Sequence, residues 1–117
     1  MTSASDMLAV FTTVASGEQA GVLARAAVEQ RLAACVQVEA IHSTYRWQGE
    51  VVSEPEQRLM FKTTRALYPA LEALLLTLHP YEVPAIFALP VTEASAAYAA
   101  WLAESLATSG ATIQAST

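Results

Sequence analysis

Five side chains between positions 47 and 82 combine charge with aromatic surface. They are Trp47, Glu56, Lys62, Tyr81 and Glu82. A few charged groups set among apolar and aromatic walls are typical of small binding clefts. The set therefore predicts a ligand or metal site between subunits, where the strands of one chain meet the 79–84 loop of another. The alternative is a packed subunit interface in which Trp47 and Tyr81 are anchors and Lys62 pairs with a carboxylate.

The soft metal-binding donors of the sequence are one thiol and two imidazoles. Thiolate and imidazole suit copper(I) and zinc, whereas carboxylates suit harder ions. Because Cys35 is the single cysteine, it excludes an internal disulfide and a cysteine-only metal cage. A lone cysteine in an apolar strand often packs as a small hydrophobic group, and His79 at a helix end complements the helix dipole. These structural roles stay open beside metal binding.

The sequence favours a protein that is not an enzyme. A hydrolase needs a nucleophile with an adjacent base, and no motif of that kind occurs. The threonines at 12, 13, 63 and 64 stand at predicted strand ends. Their β-branched side chains explain those positions without any chemistry.

The longest predicted element is a β-hairpin. Its arms run from about 34 to 47 and from about 50 to 64, and Gln48-Gly49 forms the turn. Ordinary strands run about five or six residues, so a domain of this size cannot cover such arms alone. A second copy of the chain is the simplest partner, and we expect a closed oligomer.

In the first arm of the hairpin, the apolar residues change from even to odd positions, and hence from one face of the strand to the other. Val36 and Val38 alternate on one face, whereas Tyr45 and Trp47 fall on the other. A slip of one residue exchanges the two faces of a strand. We therefore predict a β-bulge or a strong bend at residues 39–41.

The remaining segments supply two strands and three helices around the hairpin. An apolar, β-branched run at 7–14 predicts a buried strand, and the spacing of Ser16 and Gln19 predicts a capping box that begins a helix. A second helix follows the hairpin, then a short strand at 85–91 and a last helix from about Ala94.

This order of elements predicts an α+β fold. With right-handed crossovers, it gives a ferredoxin-like sandwich, βαββαβ, plus a C-terminal helix. We expect a single domain over residues 1–117, with its core at about 7–106 and flexible ends at 1–5 and 108–117.

The composition argues against membrane and nucleic-acid partners. The 117 residues are 54% hydrophobic and 15% charged, with a net charge of −5. No apolar run reaches the roughly 18 residues that span a membrane, and six scattered basic residues form no basic stripe for nucleic acid. The start of the sequence has no signal-peptide pattern. We expect a cytoplasmic protein whose apolar excess is buried between subunits.

Six short segments form a collinear pattern between about Met7 and Leu106. They are Arg31–Val36 (RLAACV), Tyr45–Glu50 (YRWQGE), Phe61–Thr64 (FKTT), His79–Pro84 (HPYEVP), Leu89–Val91 (LPV) and the segment from Tyr98 to Leu106 that contains Trp101-Leu102. This pattern resembles the CutA family of divalent-cation-tolerance proteins, and its motifs are specific in this order. The resemblance implies a cytoplasmic homotrimer of ferredoxin-like subunits, similar in architecture to the PII signalling proteins.

The resemblance also implies a metal. Family members are linked to tolerance of copper and other divalent metals, and some bind copper. Cys35 and His79 occupy positions that resemble the family's metal ligands, while Thr12 stands where the family has a cysteine. A hydroxyl is a poor ligand for soft metals. Thr12 thus counts against a high-affinity copper site, whereas the family resemblance implies copper or another divalent cation as cofactor. No organic cofactor is expected.

Two functions follow as hypotheses. The first is a homotrimeric protein that binds copper or another divalent metal and serves cation tolerance. The second is a PII-like signalling or scaffold module that binds a small molecule or a partner protein at the intersubunit cleft. The sequence does not identify a protein partner.

Overall fold

The computed structural model describes residues 6–108 and contains seven elements in the order βαββαβα. They are β1 (Met7–Val14), α1 (Gly17–Glu29), β2 (Cys35–Trp47), β3 (Glu50–Thr64), α2 (Tyr68–Leu78), β4 (Ile86–Pro90) and α3 (Ala96–Ser105). The four strands form one antiparallel sheet in the order β2-β3-β1-β4. The predicted ferredoxin-like α+β fold is confirmed. Apart from Thr108, the ends predicted to be flexible lie outside the described residues.

Helix α1 begins where the sequence predicts it. The Gln19 backbone N–H donates to the Ser16 Oγ at 3.1 Å, and the Gln19 side-chain oxygen accepts from the Ala15 N–H at 3.1 Å. The first bond satisfies a donor that the helix start leaves without a partner, and the second fixes the residue before the N-cap to the first turn. The helix then buries Ala20, Leu23 and Ala27 against the sheet.

The hydrophobic core lies between the helices and one face of the sheet. Alternate residues of β1 and β3 point into it and meet leucines of α1 and α2. The largest fully buried apolar side chains are Val10, Val14, Leu23, Leu59, Phe61, Leu71, Leu75 and Leu102. Burying one such side chain contributes about 1.5–3 kcal/mol, so this layer fixes the position of the hairpin's inner half.

The hairpin keeps one register along its whole length. Cys35 pairs with Lys62, Trp47 pairs with Glu50, and no residue is skipped between them. The bulge predicted at 39–41 is therefore wrong. The strand itself is unbroken. The helices cover only the inner half of the arms, and in the outer half the apolar residues lie on the opposite face of the strand.

The tip of the hairpin is a two-residue turn. Gln48 and Gly49 have φ values of 52° and 83°. Two successive residues in the left-handed region are typical of the type I′ turn, whose twist matches that of the flanking strands. The turn predicted at Gln48-Gly49 is confirmed.

The sheet face away from the helices is apolar and uncovered in the described part of the chain. Phe11 and Phe87 stack there with ring centroids 5.5 Å apart, and Phe87 and Leu89 are each 52% exposed. The Arg58 guanidinium lies 5.9 Å from the Phe11 ring centroid and 3.0 Å from the Glu39 Oε1. We call this face, with Phe11, Phe87, Leu89 and Arg58, the open sheet face.

Helix α3 closes the end of the sheet where β1 begins. The Ala107 N–H donates to the Arg31 carbonyl at 2.9 Å, and the Val91 N–H donates to the Met7 carbonyl at 3.0 Å. Leu102 is fully buried beneath the helix. None of the described helices is long and apolar enough to cross a membrane.

Candidate functional site

A cavity of about 640 Å³ lies between the outer half of the hairpin and the 81–85 loop. It forms where β3 extends beyond β1, because the last pair of these two strands is Val14 with Gln57. Beyond this pair, towards the hairpin tip, β3 is no longer paired with β1, and the loop after α2 approaches it at Glu56 instead. The principal side chains around the cavity are three aromatic groups and three carboxylates, Tyr45, Trp47, Tyr81, Glu54, Glu56 and Glu82.

Tyr81 and Glu56 join the loop to the hairpin. The Tyr81 hydroxyl donates to the Glu56 Oε2 at 2.6 Å, a short bond of the kind that an ionised acceptor makes. Burial, followed by the bond to Glu56, raises the pKa of Tyr81 far above its ordinary value. The hydroxyl therefore keeps its proton at physiological pH and remains the donor. Glu56 is only 6% exposed.

His79 holds the same loop against the end of β1. Its Nδ1 accepts from the Tyr81 backbone N–H at 3.1 Å, which assigns the ring proton to Nε2. Nε2 lies 3.0 Å from the Thr13 carbonyl and 3.0 Å from the Thr12 Oγ1. Burial lowers the pKa of His79, and the bond to the Thr13 carbonyl and the charge of Glu56 oppose that shift. Both ring nitrogens are thus engaged within one chain.

Cys35 lies at the opposite end of the sheet from His79. Cys35 is half-buried and pairs with Lys62, which in turn pairs with Ala9 of β1. His79 bonds to β1 at Thr12 and Thr13, so it is roughly 10 Å further along a strand that rises about 3.3 Å per residue. The two predicted metal ligands are not brought together.

The metal-binding side chains in the described part of one chain do not fit a metal centre. Among residues 6–108, no three His, Cys, Asp or Glu side chains are arranged to hold a metal ion. A metal at His79 would have to displace its bonds to Thr13 or Tyr81. The Thr12 hydroxyl, in the position where the resemblance expects a cysteine, lies 3.0 Å from the His79 Nε2, where its oxygen can accept from the ring N–H.

Four of the five predicted cleft residues surround the cavity, and the fifth does not. Trp47, Glu56, Tyr81 and Glu82 line it within one chain. The Lys62 Nζ instead lies 5.5 Å from the Tyr98 ring centroid. Lys62 is therefore not part of this cavity, because it lies six positions from Glu56 along the extended strand β3.

Two important residues of the cavity, Tyr45 and Glu54, were missed by sequence reasoning. Tyr45 shares a strand face with Trp47, and Glu54 shares one with Glu56, since side chains two apart in a strand point to the same side. Partial desolvation and the neighbouring Glu54 raise the pKa of Tyr45. The alternation along the two arms was the signal that would have found both residues.

Comparison with known proteins identifies the family. The model of the CutA1 divalent ion tolerance protein family matches residues 8–105. The chain belongs to this family. The divalent-cation tolerance protein CutA of Thermus thermophilus is 50% identical over 96 residues, which are 81% of this chain and 93% of that protein. Protein CutA of Mus musculus is 41% identical over 106 residues, which are 87% of this chain and 60% of the mouse protein.

Solved structures of family members share the fold. The Cut A1 divalent cation tolerance protein of Thermus thermophilus superposes with a TM-score of 0.82 at 46% identity, over 86% of this chain and 98% of that one. CutA of Synechococcus elongatus superposes with a TM-score of 0.86 at 44% identity, over 88% of this chain and 92% of that one. Other relatives are named chloroplastic, in Arabidopsis thaliana, or periplasmic, in Archaeoglobus fulgidus. A cytoplasmic location for this chain therefore stays a prediction.

Proposed function

We propose that this member of the family serves divalent-cation tolerance as a homotrimer that binds a small ligand in the cavity between the hairpin and the 81–85 loop. The observation that carries the proposal is the cavity itself. It has about 640 Å³ of space and aromatic walls, within the size range of small-molecule sites. It is a non-catalytic role, and we place the protein in the cytoplasm.

The open sheet face supports the homotrimer. Phe87 and Leu89 would leave a large apolar area in water in a lone chain, and patches of this kind mark interaction surfaces. The same face carries the buried Arg58 Nε, which has no hydrogen-bond partner within the described residues. A neighbouring copy of the chain would cover the aromatic side chains and bring an acceptor to this donor.

The proposal is tested by native mass spectrometry of protein purified without small-molecule additives. We expect a trimer mass with ligand retained at up to one copy per chain. Replacing Trp47 with Ala removes one aromatic wall and should release the ligand while the trimer remains. A monomer, or a trimer that retains ligand equally in both proteins, would contradict the proposal.

A second candidate function is the binding of copper or another divalent cation between subunits. It is favoured by the position of Cys35, which pairs with Lys62 and shares the open sheet face with it. A thiol there would meet donors from another chain, and a thiolate suits copper(I). His79 is less suited, since both of its ring nitrogens already have partners.

A competition titration with copper(I), copper(II) and zinc tests this second function. It should include Cys35→Ala and His79→Ala, with the oligomer mass measured on the same samples. We expect stoichiometric copper(I) binding to be lost in Cys35→Ala while the trimer persists. Binding that survives in Cys35→Ala, or that never exceeds a nonspecific background, would exclude Cys35 as a ligand.

A further inference from the structure

Arg31 has a left-handed backbone conformation directly after α1, with a φ of 58°. Its N–H donates to the Val28 carbonyl at 3.0 Å, and the Leu32 N–H donates to the Ala27 carbonyl at 2.9 Å. These two bonds form a Schellman motif, in which glycine is the usual residue at the position of Arg31. An arginine there has a conformational cost that glycine would avoid. The cost calls for a contribution that only this side chain makes.

The same residue holds α3. The Arg31 carbonyl accepts from the Ala107 N–H at 2.9 Å, and the Arg31 Nη1 lies 3.5 Å from the Ser105 carbonyl oxygen. Within the described part of the chain, the hydrogen bonds that join residues 95–108 to earlier residues both involve Arg31. Arg31 and Ser105 are 74 positions apart. One residue therefore connects the C-terminal ends of two helices that are distant in the sequence.

The charge of Arg31 compensates an unfavourable end of α3. The C-terminal end of a helix is partially negative and is stabilised by a nearby cation. The last turn of α3 has no basic residue of its own and contains the carboxylate of Glu104. The Arg31 guanidinium, beside the carbonyl of the last residue of α3, supplies the missing positive charge.

Little else fixes α3 to the sheet. The helix has ten residues, and isolated helices of this length are marginal in water. Ala99 and Leu102, with Leu106 after the helix, are its buried side chains, and residues 91–95 before it belong to no helix or strand. An element held by few hydrogen bonds and few buried side chains opens more readily than the core.

We infer that α3 is a strap that opens and closes as one unit across the end of the sheet, with Arg31 as its clasp. In the closed position the Tyr98 ring centroid lies 5.5 Å from the Lys62 Nζ, and Lys62 pairs with Cys35. Opening therefore removes an aromatic ring from the ammonium group that neighbours the single thiol. The contacts at Arg31 lie within one chain, so the inference depends neither on the ligand nor on the homotrimer proposed above.

Amide hydrogen exchange of the full-length protein in its native oligomeric state tests the strap. We expect the amides of α3 to exchange about tenfold or more faster than those of β1, because α3 opens while the core stays folded. Any neighbouring chain that holds α3 shut is present in this experiment. Equal exchange rates in α3 and β1 would therefore overturn the inference.

Arg31→Gly tests the clasp, and Gln48→Gly is the matched control. Both substitutions relieve a left-handed residue, with φ values of 58° and 52°, but Gln48 lies at the hairpin tip. In Arg31→Gly we expect α3 to exchange about fivefold or more faster than in the unaltered protein, with β1 unchanged. Gln48→Gly should leave α3 unchanged. If Arg31→Gly fails to fold, Arg31→Asn carries the same expectation, since asparagine tolerates the left-handed region.

A glutamate-specific protease gives a second readout. Glu104 lies within α3 and Glu72 within α2, so cleavage after Glu104 requires α3 to open and Glu72 is the internal reference. Cleavage after Glu104 should accelerate in Arg31→Gly by about the same factor as the exchange, with no change at Glu72. If Arg31→Gly accelerates neither process, or affects α3 and the core equally, Arg31 is not a clasp and the inference is wrong.

Discussion

The Tyr81 hydroxyl donates a hydrogen bond to the Glu56 carboxylate at 2.6 Å and thereby ties the loop after α2 to the outer half of the hairpin. These residues are 25 positions apart in the sequence. The bond closes one side of the cavity. The His79 imidazole fixes the position of Tyr81 by accepting a hydrogen bond from its backbone N–H. The predictions below test this connection, its pH dependence and the assembly around it.

Tyr81→Phe should destabilise the protein and loosen the 81–85 loop. Removing the hydroxyl leaves a buried acceptor on Glu56 unsatisfied, which costs about 1–3 kcal/mol. Urea denaturation measures the loss of stability, and amide hydrogen exchange measures the loop. Tyr98→Phe is the matched control, because the Tyr98 hydroxyl has no hydrogen-bond partner among residues 6–108. Equal stability and equal exchange in the two variants would show that the bond to Glu56 contributes nothing.

His79 should make stability depend on pH below about 6.5. Burial holds its pKa in the folded state below the ordinary value of 6.5, so the unfolded chain takes up a proton that the folded chain does not. The stabilising contribution is therefore complete above pH 6.5 and is lost as pH falls from 6.5 through the lower folded-state pKa. Urea denaturation at several pH values, with a chelator present, measures this slope.

His79→Gln should remove that part of the pH dependence. Glutamine retains a polar side chain near Thr13 but does not titrate. His42→Gln, at an exposed position of the hairpin, serves as the control. A slope that is the same in His79→Gln and in the unaltered protein would assign the pH dependence to other groups.

Phe87→Asp should disrupt the proposed homotrimer. Phe87 stacks on Phe11 in the open sheet face and is half exposed in a lone chain, so a charge there would be buried without a partner in the assembly. Sedimentation velocity should show monomers or a trimer that dissociates on dilution. Val22→Asp places the same charge on the outer side of α1, where the valine is 54% exposed, and should leave the trimer intact. If Phe87→Asp also sediments as the full trimer, the open sheet face is not the interface.

Deleting residues 45–52 should weaken the trimer and abolish ligand binding. The segment contains the hairpin tip with its turn at Gln48 and Gly49, and it carries Tyr45 and Trp47. The arms are too long for their own domain to cover, so they are expected to pack on a neighbouring chain. An unchanged trimer with an unchanged melting temperature would refute the role of the hairpin in assembly.

Local signals in the sequence were sufficient for the elements and for the family. The capping box of Ser16 and Gln19 and the turn at Gln48-Gly49 depend on bonds and backbone angles within a few residues, so the residue types alone predict them. The order of strands and helices then leaves few chain paths, because crossovers are right-handed. The collinear motifs pointed to the CutA family, which the comparisons confirm.

The composition of the site was decided by tertiary structure. Alternation along a strand tells which residues share a face, but not where the covering helices end. For that reason a change of covered face at Tyr45 and Trp47 was mistaken for a bulge. Register placed Lys62 beside Cys35, and the fold of the 81–85 loop brought Tyr81 to Glu56 across 25 positions. The sequence by itself determined which residue types were present, whereas strand lengths and loop packing determined which of them meet.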